Sequence, residues 1–253
     1  MVNKLAIVNQ KGGVGKSTTA VNLGASLAEM EKKVLIVDVD PQGNATSGLG
    51  VEKSTVENSI YNVLVDDTDL DKAVLKTETK NLYLLPSNID LAGAEIELVS
   101  MMSRENRLKI ALEDNEDEYD YIFFDCPPSL GLLTLNALSA ADSIIVPIQC
   151  EYYALEGLGQ LIETIKLVQN NLNEELEIEG VVLTMYDART NLSKQVSEEV
   201  KNFFENKVYE TVIPRNVRLS EAPSFGQPVI EYASNSKGAK TYRKLAKEVN
   251  KNV

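Results

Sequence analysis

The sequence predicts an α/β fold, a single doubly wound domain with a mostly parallel central sheet flanked by helices. Short apolar segments alternate along the chain with longer segments that have helical spacing. The apolar segments are nearly continuous, which is typical of strands buried on both faces of a parallel sheet. A glycine-rich loop joins the first apolar segment to the first helical one, at the edge where such sheets bind ligands.

The individual elements follow from these local patterns. Apolar runs predict strands at residues 5–8, 34–37, 82–85, 121–124, 143–148, 180–185 and 208–213. Helical spacing predicts helices at residues 17–30, 103–113, 130–140, 156–171, 193–204 and 238–251. Residues 91–102 add apolar side chains at helical spacing, and we interpret them as core. Because no linker, repeat or low-complexity segment divides residues 1–253, we expect one domain.

Composition excludes several function classes. The chain has 253 residues, 43% hydrophobic and 25% charged, as expected for a globular protein. No apolar run approaches the ~18 residues of a membrane span, and residues 1–4 show no signal peptide. A cytoplasmic location is therefore expected. The absence of histidine and the isolation of Cys126 and Cys150 exclude imidazole catalysis and disfavour a disulfide framework or thiolate zinc site.

The charge is unevenly distributed. The net charge of −13 argues against a nucleic-acid footprint that covers the whole surface. The C-terminal segment 237–253 is basic, with one acid, Glu248, against Lys237, Lys240, Arg243, Lys244, Lys247 and Lys251. Two interpretations remain open, a local basic face that binds a polyanion and a solvated terminal helix.

The loop at residues 11–18 predicts a phosphate-binding site. The loop lies between a strand and a helix, so its backbone N–H groups and the helix dipole can form a cradle for an anion. A glycine turn with only a structural role would not require the lysine and hydroxyl residues that follow the glycines. Lys16 is placed to reach the β- and γ-phosphates, and the Ser17 hydroxyl to bind Mg²⁺. The remaining cradle residues are Gly12, Gly13, Val14, Gly15 and Thr18.

This loop departs from the usual P-loop pattern at two positions. Gln10 stands where the first glycine is expected, and Lys11 is an additional lysine before the double glycine. The Lys11 side chain can fold back on its own nucleotide or project towards a nucleotide held by another subunit. In the second case Gly12 would lie at the contact, where a side chain would obstruct close approach.

Acidic residues end two of the predicted strands. Asp38 and Asp40 follow the strand at 34–37, and period-2 geometry points both to the same side. They are candidates to hold a Mg²⁺-bound water and to orient an attacking water, although the following Pro, Gly and Asn are also turn formers. Asp125 ends the strand at 121–124, as expected of the Mg²⁺-linked acid of a P-loop protein.

Together, the segments 10–18, 37–43, 124–128, 149–157 and 213–223 resemble the ParA ATPases, in particular the Soj-type chromosomal members. These proteins belong to the deviant Walker A group of P-loop NTPases, and the resemblance covers essentially the whole chain. It implies that Lys11 is the signature lysine, which contacts nucleotide across an ATP-bound dimer. It also implies that Asp40 is the catalytic acid of the first switch and that Asp125 is the Walker B acid.

The resemblance implies further binding residues. Pro214 and Asn216 match a late segment that contacts adenine. Arg189 and Arg218 resemble surface arginines that bind double-stranded DNA without sequence preference. An arginine in a polar loop is otherwise usually only solvated. The expected function is that of a nucleoid-associated, DNA-partitioning ATPase, whose ATP-bound homodimer binds DNA and whose hydrolysis a ParB-type partner stimulates.

Other classes of P-loop protein share part of this pattern. A MinD-like membrane-cycling ATPase would need an amphipathic C-terminal helix, for which the sequence offers a modest apolar stripe of Tyr242, Leu245, Ala246 and Val249. A nitrogenase-reductase-like carrier would need cluster cysteines from each subunit, and Cys126 does not match that arrangement. A metabolic kinase or ligase would need a substrate pocket that the sequence does not reveal. We therefore expect no membrane association.

Overall fold

A computed structural model describes residues 2–113, 115–152, 154 and 158–252. Its centre is a seven-stranded sheet with the strand order β3-β4-β2-β5-β1-β6-β7. All neighbouring pairs are parallel except β3 with β4, where the short edge strand β3 runs antiparallel. The strands are β1 Asn3–Ile7, β2 Val34–Asp38, β3 Leu75–Lys76, β4 Leu82–Leu85, β5 Tyr121–Asp125, β6 Ser143–Gln149 and β7 Glu177–Thr184. The predicted mostly parallel α/β fold is confirmed.

The helices occupy the segments between the strands and the C-terminal region. They are α1 Lys16–Ala28, α2 Asn44–Gly48, α3 Ile60–Val65, α4 Leu70–Ala73, α5 Leu91–Glu97, α6 Arg107–Leu112, α7 Leu132–Ala140, α8 Leu158–Asn171, α9 Asn191–Phe204, α10 Val217–Glu221, α11 Val229–Tyr232 and α12 Lys237–Asn252. Short 3₁₀ segments lie at Lys53–Thr55, Leu98–Ser100, Glu116–Glu118, Glu205–Lys207 and Ala222–Phe225. The helix predicted at 156–171 begins next to residues 155–157, which lie outside the described part of the chain.

Helices cover both faces of the sheet, so the central strands are buried on both sides. On β5, Ile122 and Phe124 point into one core and Tyr121 and Phe123 into the other. The first core lies under α3 and α5–α9, and the second under α1 and α10–α12. This arrangement explains why the strands have continuous apolar runs instead of alternating ones.

The prediction of a strand at residues 208–213 is wrong. The segment pairs with β7 and its continuation only near its two ends, through bridges of Val208 with Val181 and of Pro214 with Tyr186. At these ends the N–H groups of Tyr209 and Ile213 donate to the carbonyls of Val181 and Leu183, at 3.0 and 2.8 Å. Between them, the N–H groups of Glu210 and Thr211 donate to the Glu248 carboxylate of α12, at 2.6 and 3.1 Å, and not to β7. A side chain from a distant helix therefore interrupts the strand ladder between these two ends, which the local apolar pattern cannot show.

The interpretation of residues 91–102 as core is correct for one side of the segment and wrong for the other. Leu91, Ala94 and Leu98 are buried, but the large apolar side chains on the opposite side, Ile96, Val99 and Met102, are exposed. The helix predicted at 103–113 begins only at Arg107, because Ser103 has a positive φ of 51° that interrupts the helix.

The apolar stripe of α12 belongs to the core. Tyr242, Leu245, Ala246 and Val249 are at most 1% exposed and pack in the cluster that includes α1. Since these side chains are already buried within the chain, they do not form a membrane-binding face. No described helix is both long and apolar enough to span a membrane.

We expect Gly180→Ala to destabilise the fold. An added Cβ on this β7 residue would lie 2.5 Å from the buried Tyr209 ring, whose position is fixed by the surrounding core. Overpacking of this kind costs about 1–3 kcal/mol of unfolding free energy, which urea denaturation measures. Gly159→Ala on α8 is the control, because its Cβ would meet nothing within 4 Å. Equal stabilities of the two variants would contradict the packing argument.

Candidate nucleotide-binding site

A cleft of about 440 Å³ opens at the carboxyl edge of the sheet. It is lined by the glycine loop, by the segments after β2 and β5, and by the 3₁₀ segment Ala222–Phe225. The parallel topology brings these segments together, because every parallel strand ends at this edge. The sequence prediction placed the site at this edge, but it did not identify the contribution of residues 222–227.

The glycine loop has a conformation that requires glycine. Gly13 and Gly15 have positive φ values of 73° and 92°, and Gly15 is the N-cap of α1. Two contacts from distant strands hold the loop. The Thr184 hydroxyl at the end of β7 donates to the Val14 carbonyl at 2.8 Å. The Asn9 amide donates to the Pro147 carbonyl of β6 at 2.7 Å, and its oxygen accepts from the Lys11 N–H at 2.9 Å.

Lys16 is a buried cation with few partners. Its side chain lines the cleft, and its Nζ donates to the Lys11 carbonyl at 3.3 Å. Burial lowers the pKa of the Lys16 ammonium, although the carboxylate of Asp125 acts in the opposite direction. A buried ammonium whose protein hydrogen bond goes to a neutral carbonyl is suited to bind an anion in the cleft.

Asp125 is a fully buried carboxylate at the end of β5. Among the described residues, neither of its oxygens has a hydrogen-bond partner. Burial raises the pKa of this carboxyl well above its usual range, the charge of Asp38 adds to the rise, and Ser17 and Lys16 oppose it. Since buried polar groups are normally paired, these two oxygens fit a bound cation. Among the described residues, no group of three or more His, Cys, Asp or Glu side chains is arranged to hold a metal ion.

Asp38 and Asp40, predicted to act as a pair, have different environments. Asp38 lies beside Asp125 in the β2–β5 register and is fully buried. Its Oδ2 accepts from the N–H and the hydroxyl of Thr46, both at 2.7 Å, and its Oδ1 accepts from the Asp40 N–H at 3.3 Å. Burial raises the pKa of Asp38 to about 6 in spite of these hydrogen bonds. With its oxygens engaged in this way, Asp38 anchors the loop and does not face the cleft.

Asp40 lines the cleft, and a hydrogen bond from Ser87 to its carbonyl holds its backbone. Its Oδ1 accepts from the Gln42 N–H at 2.9 Å, and its carbonyl accepts from the Ser87 hydroxyl at 2.8 Å. The Ser87 N–H in turn donates to the Thr46 hydroxyl at 2.9 Å. Sequence reasoning missed both Thr46 and Ser87. Only the position of Ser87 after a predicted strand could have indicated that it reaches the same edge.

Pro214 and Asn216, predicted to contact adenine, line a neighbouring pocket of about 310 Å³. This pocket shares Gly15 and Thr18 with the cleft, so it continues from the glycine loop. The Asn216 side chain caps α10, where its oxygen accepts from the Arg218 N–H at 3.0 Å. The structure thus brings the predicted phosphate and adenine segments next to each other, and the adenine contact itself remains a prediction.

Contacts within the described part of the chain do not explain why a lysine stands at position 11 and a glycine at position 12. The Lys11 ammonium makes no ion pair or side-chain hydrogen bond to any described residue. Gly12 is exposed, has no positive φ, and a Cβ there would meet nothing within 4 Å. Neither the fold nor the loop conformation requires glycine at this position. The predicted contact with a second subunit is compatible with this open space.

The two predicted DNA-binding arginines are exposed but paired with acids. The Arg189 guanidinium donates to both carboxylate oxygens of Asp187, at 2.9 and 2.6 Å. Arg218 donates to Glu221 at 2.7 Å. Each arginine therefore lies on the surface with its charge partly neutralised, outside the lining of the 440 Å³ cleft. Their contact with DNA remains a prediction.

The chain is similar to known proteins along its whole length. A family model described as "AAA domain" matches residues 2–178. The sporulation initiation inhibitor protein Soj of Bacillus subtilis is 64% identical over 245 residues, which cover 97% of each chain. The chromosome partitioning protein ParA of Myxococcus xanthus is 55% identical over 247 residues, which cover 98% of this chain and 87% of that protein.

Solved structures show the same fold. A Mycobacterium smegmatis structure described as cobyrinic acid a,c-diamide synthase with bound ADP and magnesium has a TM-score of 0.88 and 41% identity, covering 99% of this chain and 95% of that one. The cell division ATPase MinD of Pyrococcus furiosus is more distant, with a TM-score of 0.81 and 29% identity over the full length of both chains. The glycine loop, the strand-end acids and this similarity agree, and the chain belongs to the Soj/ParA family of chromosome-partitioning ATPases.

Proposed function

We propose that this chain is a DNA-partitioning enzyme that hydrolyses ATP to ADP and phosphate with Mg²⁺. The observation that carries the proposal is the cleft lined by the glycine loop, with its buried Lys16 ammonium, and by the Asp40 carboxylate. The charge of Asp125 acts on the Lys16 ammonium, and the Asp125 carboxylate has no hydrogen-bond partner among the described residues. The similar M. smegmatis protein was crystallised with ADP and magnesium, which supports the same ligands here. We further propose that residues 1–253 form one domain.

Different residues bind the phosphates, the Mg²⁺ ion and the adenine. The backbone of residues 12–18 and the Lys16 ammonium bind the phosphates. Ser17 would bind Mg²⁺ through its hydroxyl, and Asp40 and Asp125 would hold waters bound to the ion. When bound, Mg²⁺ neutralises the charge that develops on the transferred phosphoryl group. Pro214 and Asn216 bind the adenine in the adjoining pocket.

Asp40 orients the attacking water. One of its carboxylate oxygens accepts from Gln42, which leaves the other to accept a hydrogen bond from a water in the cleft. The contacts of Thr46 and Ser87 hold the loop that carries it. A carboxylate fixed in this way stabilises the transition state without contributing to ground-state binding.

ATP binding closes a homodimer in which Lys11 of each subunit contacts the nucleotide of the other. Two observations support this assignment: the Lys11 ammonium is unpaired among the described residues, and the space beside Gly12 is open. Dimerisation places two copies of each surface cation on one particle. Because affinity for DNA depends steeply on the number of phosphates neutralised, the dimer binds nonspecific double-stranded DNA far better than the monomer does. A ParB-type partner stimulates hydrolysis and thereby releases the nucleoid-associated dimer.

We expect Asp40→Ala to bind ATP but to hydrolyse it about 10²-fold or more slowly, since it removes only the water-orienting carboxylate. Phosphate release in the presence of DNA and partner measures turnover, and light scattering detects the persistent ATP-bound dimer. Lys16→Ala is the comparison variant, which loses nucleotide binding itself. Normal turnover by Asp40→Ala would assign Asp40 a purely structural role.

Gly12→Val is expected to bind ATP as a monomer. Its side chain has open space within its own chain, so folding and the cradle remain intact, and the obstruction arises only when a second subunit approaches. ATP affinity and light scattering with ATP are measured side by side. Gly159→Val, at another glycine with open space around it, serves as the control. An ATP-dependent dimer of normal stability in Gly12→Val would exclude the proposed subunit contact.

Arg189→Ala and Arg218→Ala are expected to weaken binding equally for all DNA sequences, because phosphate contacts carry no sequence information directly. Each substitution removes two phosphate contacts from a symmetric dimer, so the slope of log affinity against log salt should fall by about two. Nucleotide binding should remain unchanged.

The alternative DNA site is the exposed side of α12. Lys240, Lys244 and Lys247 lie there and form no ion pair with a described residue. Replacing all three by glutamine under the same conditions tests this basic face. If the arginine variants keep full affinity and slope while the glutamine variant loses both, DNA binds to α12 and the arginine assignment is wrong.

A further inference from the structure

Residues 222–228, which we call the wall segment, form part of the boundary of both the 440 Å³ cleft and the adjoining 310 Å³ pocket. Ala222, Pro223 and Gln227 line the cleft, and Pro223 also lines the pocket. The proposed phosphate and adenine positions therefore share this boundary. Where the wall segment is held decides how well both parts of a nucleotide fit at the same time.

The side chain of Asn22 connects the wall segment to α1, the helix that begins in the glycine loop. Its Oδ1 accepts from the N–H of Val229, the residue directly after the wall segment, at 2.7 Å. Its Nδ2 donates to the Thr18 carbonyl, one helical turn nearer to the loop, also at 2.7 Å. The two partners fix the orientation of the amide, because the N–H can only donate and the carbonyl can only accept.

The Val229 N–H depends on this contact. Val229 is the first residue of α11, and the first N–H groups of a helix have no partner within the helix. The preceding residue, Pro228, makes no side-chain cap. The partner instead comes from Asn22, which is 207 residues earlier in the chain and only 3% exposed. A buried side chain of one helix thus caps the start of another, next to the cleft that Asn22 itself lines.

A second contact holds the wall segment against the loop that follows α2. A Cβ at Gly226 would lie 2.5 Å from the Cα of Gly50, so the two backbones touch each other. Ser47 and Gly48 of α2 line the cleft as well. Since the glycine contact is van der Waals packing, it limits how closely the wall segment approaches. The hydrogen bond to Asn22 is directional and fixes the position relative to α1.

From this geometry we propose that Asn22 is a positioning residue for the nucleoside part of the bound nucleotide. It acts through Val229 and Thr18, and it sets the separation between the wall segment and the glycine loop. Thr18 and Pro223 line both the cleft and the pocket, so this separation determines the width of the passage that joins them. The inference deepens the proposed function, on which it rests, because that function places adenine in this pocket.

The loss of Asn22 should affect the two parts of the nucleotide unequally. Without its side chain, the buried Val229 N–H has no partner, and the wall segment must shift or admit water. A shift of about 1 Å in a positioning element is enough to weaken the fit of a substrate strongly. The glycine loop keeps its own supports, Thr184 and Asn9, which do not involve the wall segment. Binding of the phosphates should therefore survive.

The first experiment compares ATP, ADP and inorganic tripolyphosphate, each with Mg²⁺, as ligands of the full chain by titration calorimetry. Asn22→Ala should weaken ATP and ADP about tenfold and leave tripolyphosphate within about twofold of the parent chain. The KM for ATP should rise about tenfold with kcat within about twofold, as expected when binding is lost equally in ground and transition states. Equal weakening of all three ligands, or of none, would overturn the inference.

Ser26→Ala is the matched control on the same helix. The buried Ser26 hydroxyl donates to the Asn22 carbonyl at 2.7 Å, so this hydrogen bond stays within α1 and does not reach the wall segment. ATP affinity of this variant should remain within about twofold of the parent chain. If Ser26→Ala weakens ATP as much as Asn22→Ala does, a general loosening of α1 explains both results and the inference is wrong.

Val229→Pro removes the same hydrogen bond from its other end. Proline lacks the N–H and is accepted at the first residue of a helix. Pro228 already has the extended backbone, φ −59° and ψ 149°, that a residue before proline adopts. Val229→Ala keeps the N–H and controls for the lost side-chain packing. The double variant Asn22→Ala with Val229→Pro should bind ATP no more weakly than the weaker single variant, and additive losses would contradict the proposal.

Amide hydrogen exchange tests the structural step without nucleotide. Asn22→Ala should speed exchange in residues 222–232 and leave the amides of β5 as they are in the parent chain. Unchanged exchange in residues 222–232 would show that the wall segment does not depend on Asn22 and would overturn the inference. A parent chain that binds no ATP would contradict the proposed function, and the exchange result would still decide whether Asn22 holds the wall segment.

Discussion

The site depends on two carboxylates that lie side by side in the centre of the sheet. Asp38 and Asp125 end neighbouring strands, and both are fully buried. Removing a carboxylate from water costs several kcal/mol unless other groups compensate. Thr46 and the Asp40 N–H compensate Asp38 through hydrogen bonds. Asp125 has no such partners among the described residues, and it lies close to the Lys16 ammonium. The two neighbouring carboxylates therefore differ in how their burial is compensated.

Hydrogen bonds from distant segments give the site its rigidity. The glycine loop is held by the ends of β6 and β7, through Asn9 and Thr184. The loop after β2 is held by Ser87, which follows β4. Because all these strands are parallel, polar residues that are far apart in sequence meet at one edge and position each other. A catalytic group supported in this way loses little entropy when the substrate binds, which is the usual basis of preorganisation.

The glycine loop contains residues whose side-chain positions make few contacts within the described part of the chain. The Lys11 backbone is held by Asn9 and Lys16, but its ammonium has no ion pair or hydrogen bond to a described residue, and a Cβ at Gly12 would meet nothing within 4 Å. Arg189 and Arg218 differ from these, because acids on the same chain already pair with them. Each arginine is therefore already engaged by a carboxylate, whereas the Lys11 ammonium has no such partner among the described residues.

The sequence by itself determined the fold class, the glycine loop and the strand-end positions of Asp40 and Asp125, since each depends on neighbouring residues and on backbone periodicity. The tertiary structure decided which buried polar groups have hydrogen-bond partners and which residues provide those partners. It separated Asp38 from Asp40 through Thr46, interrupted the strand expected at 208–213 by hydrogen bonds to Glu248, and buried the apolar stripe of α12 against α1. Periodicity gives the face on which a side chain lies, but the partner on that face comes from a segment distant in sequence, and only the packed chain brings the two together.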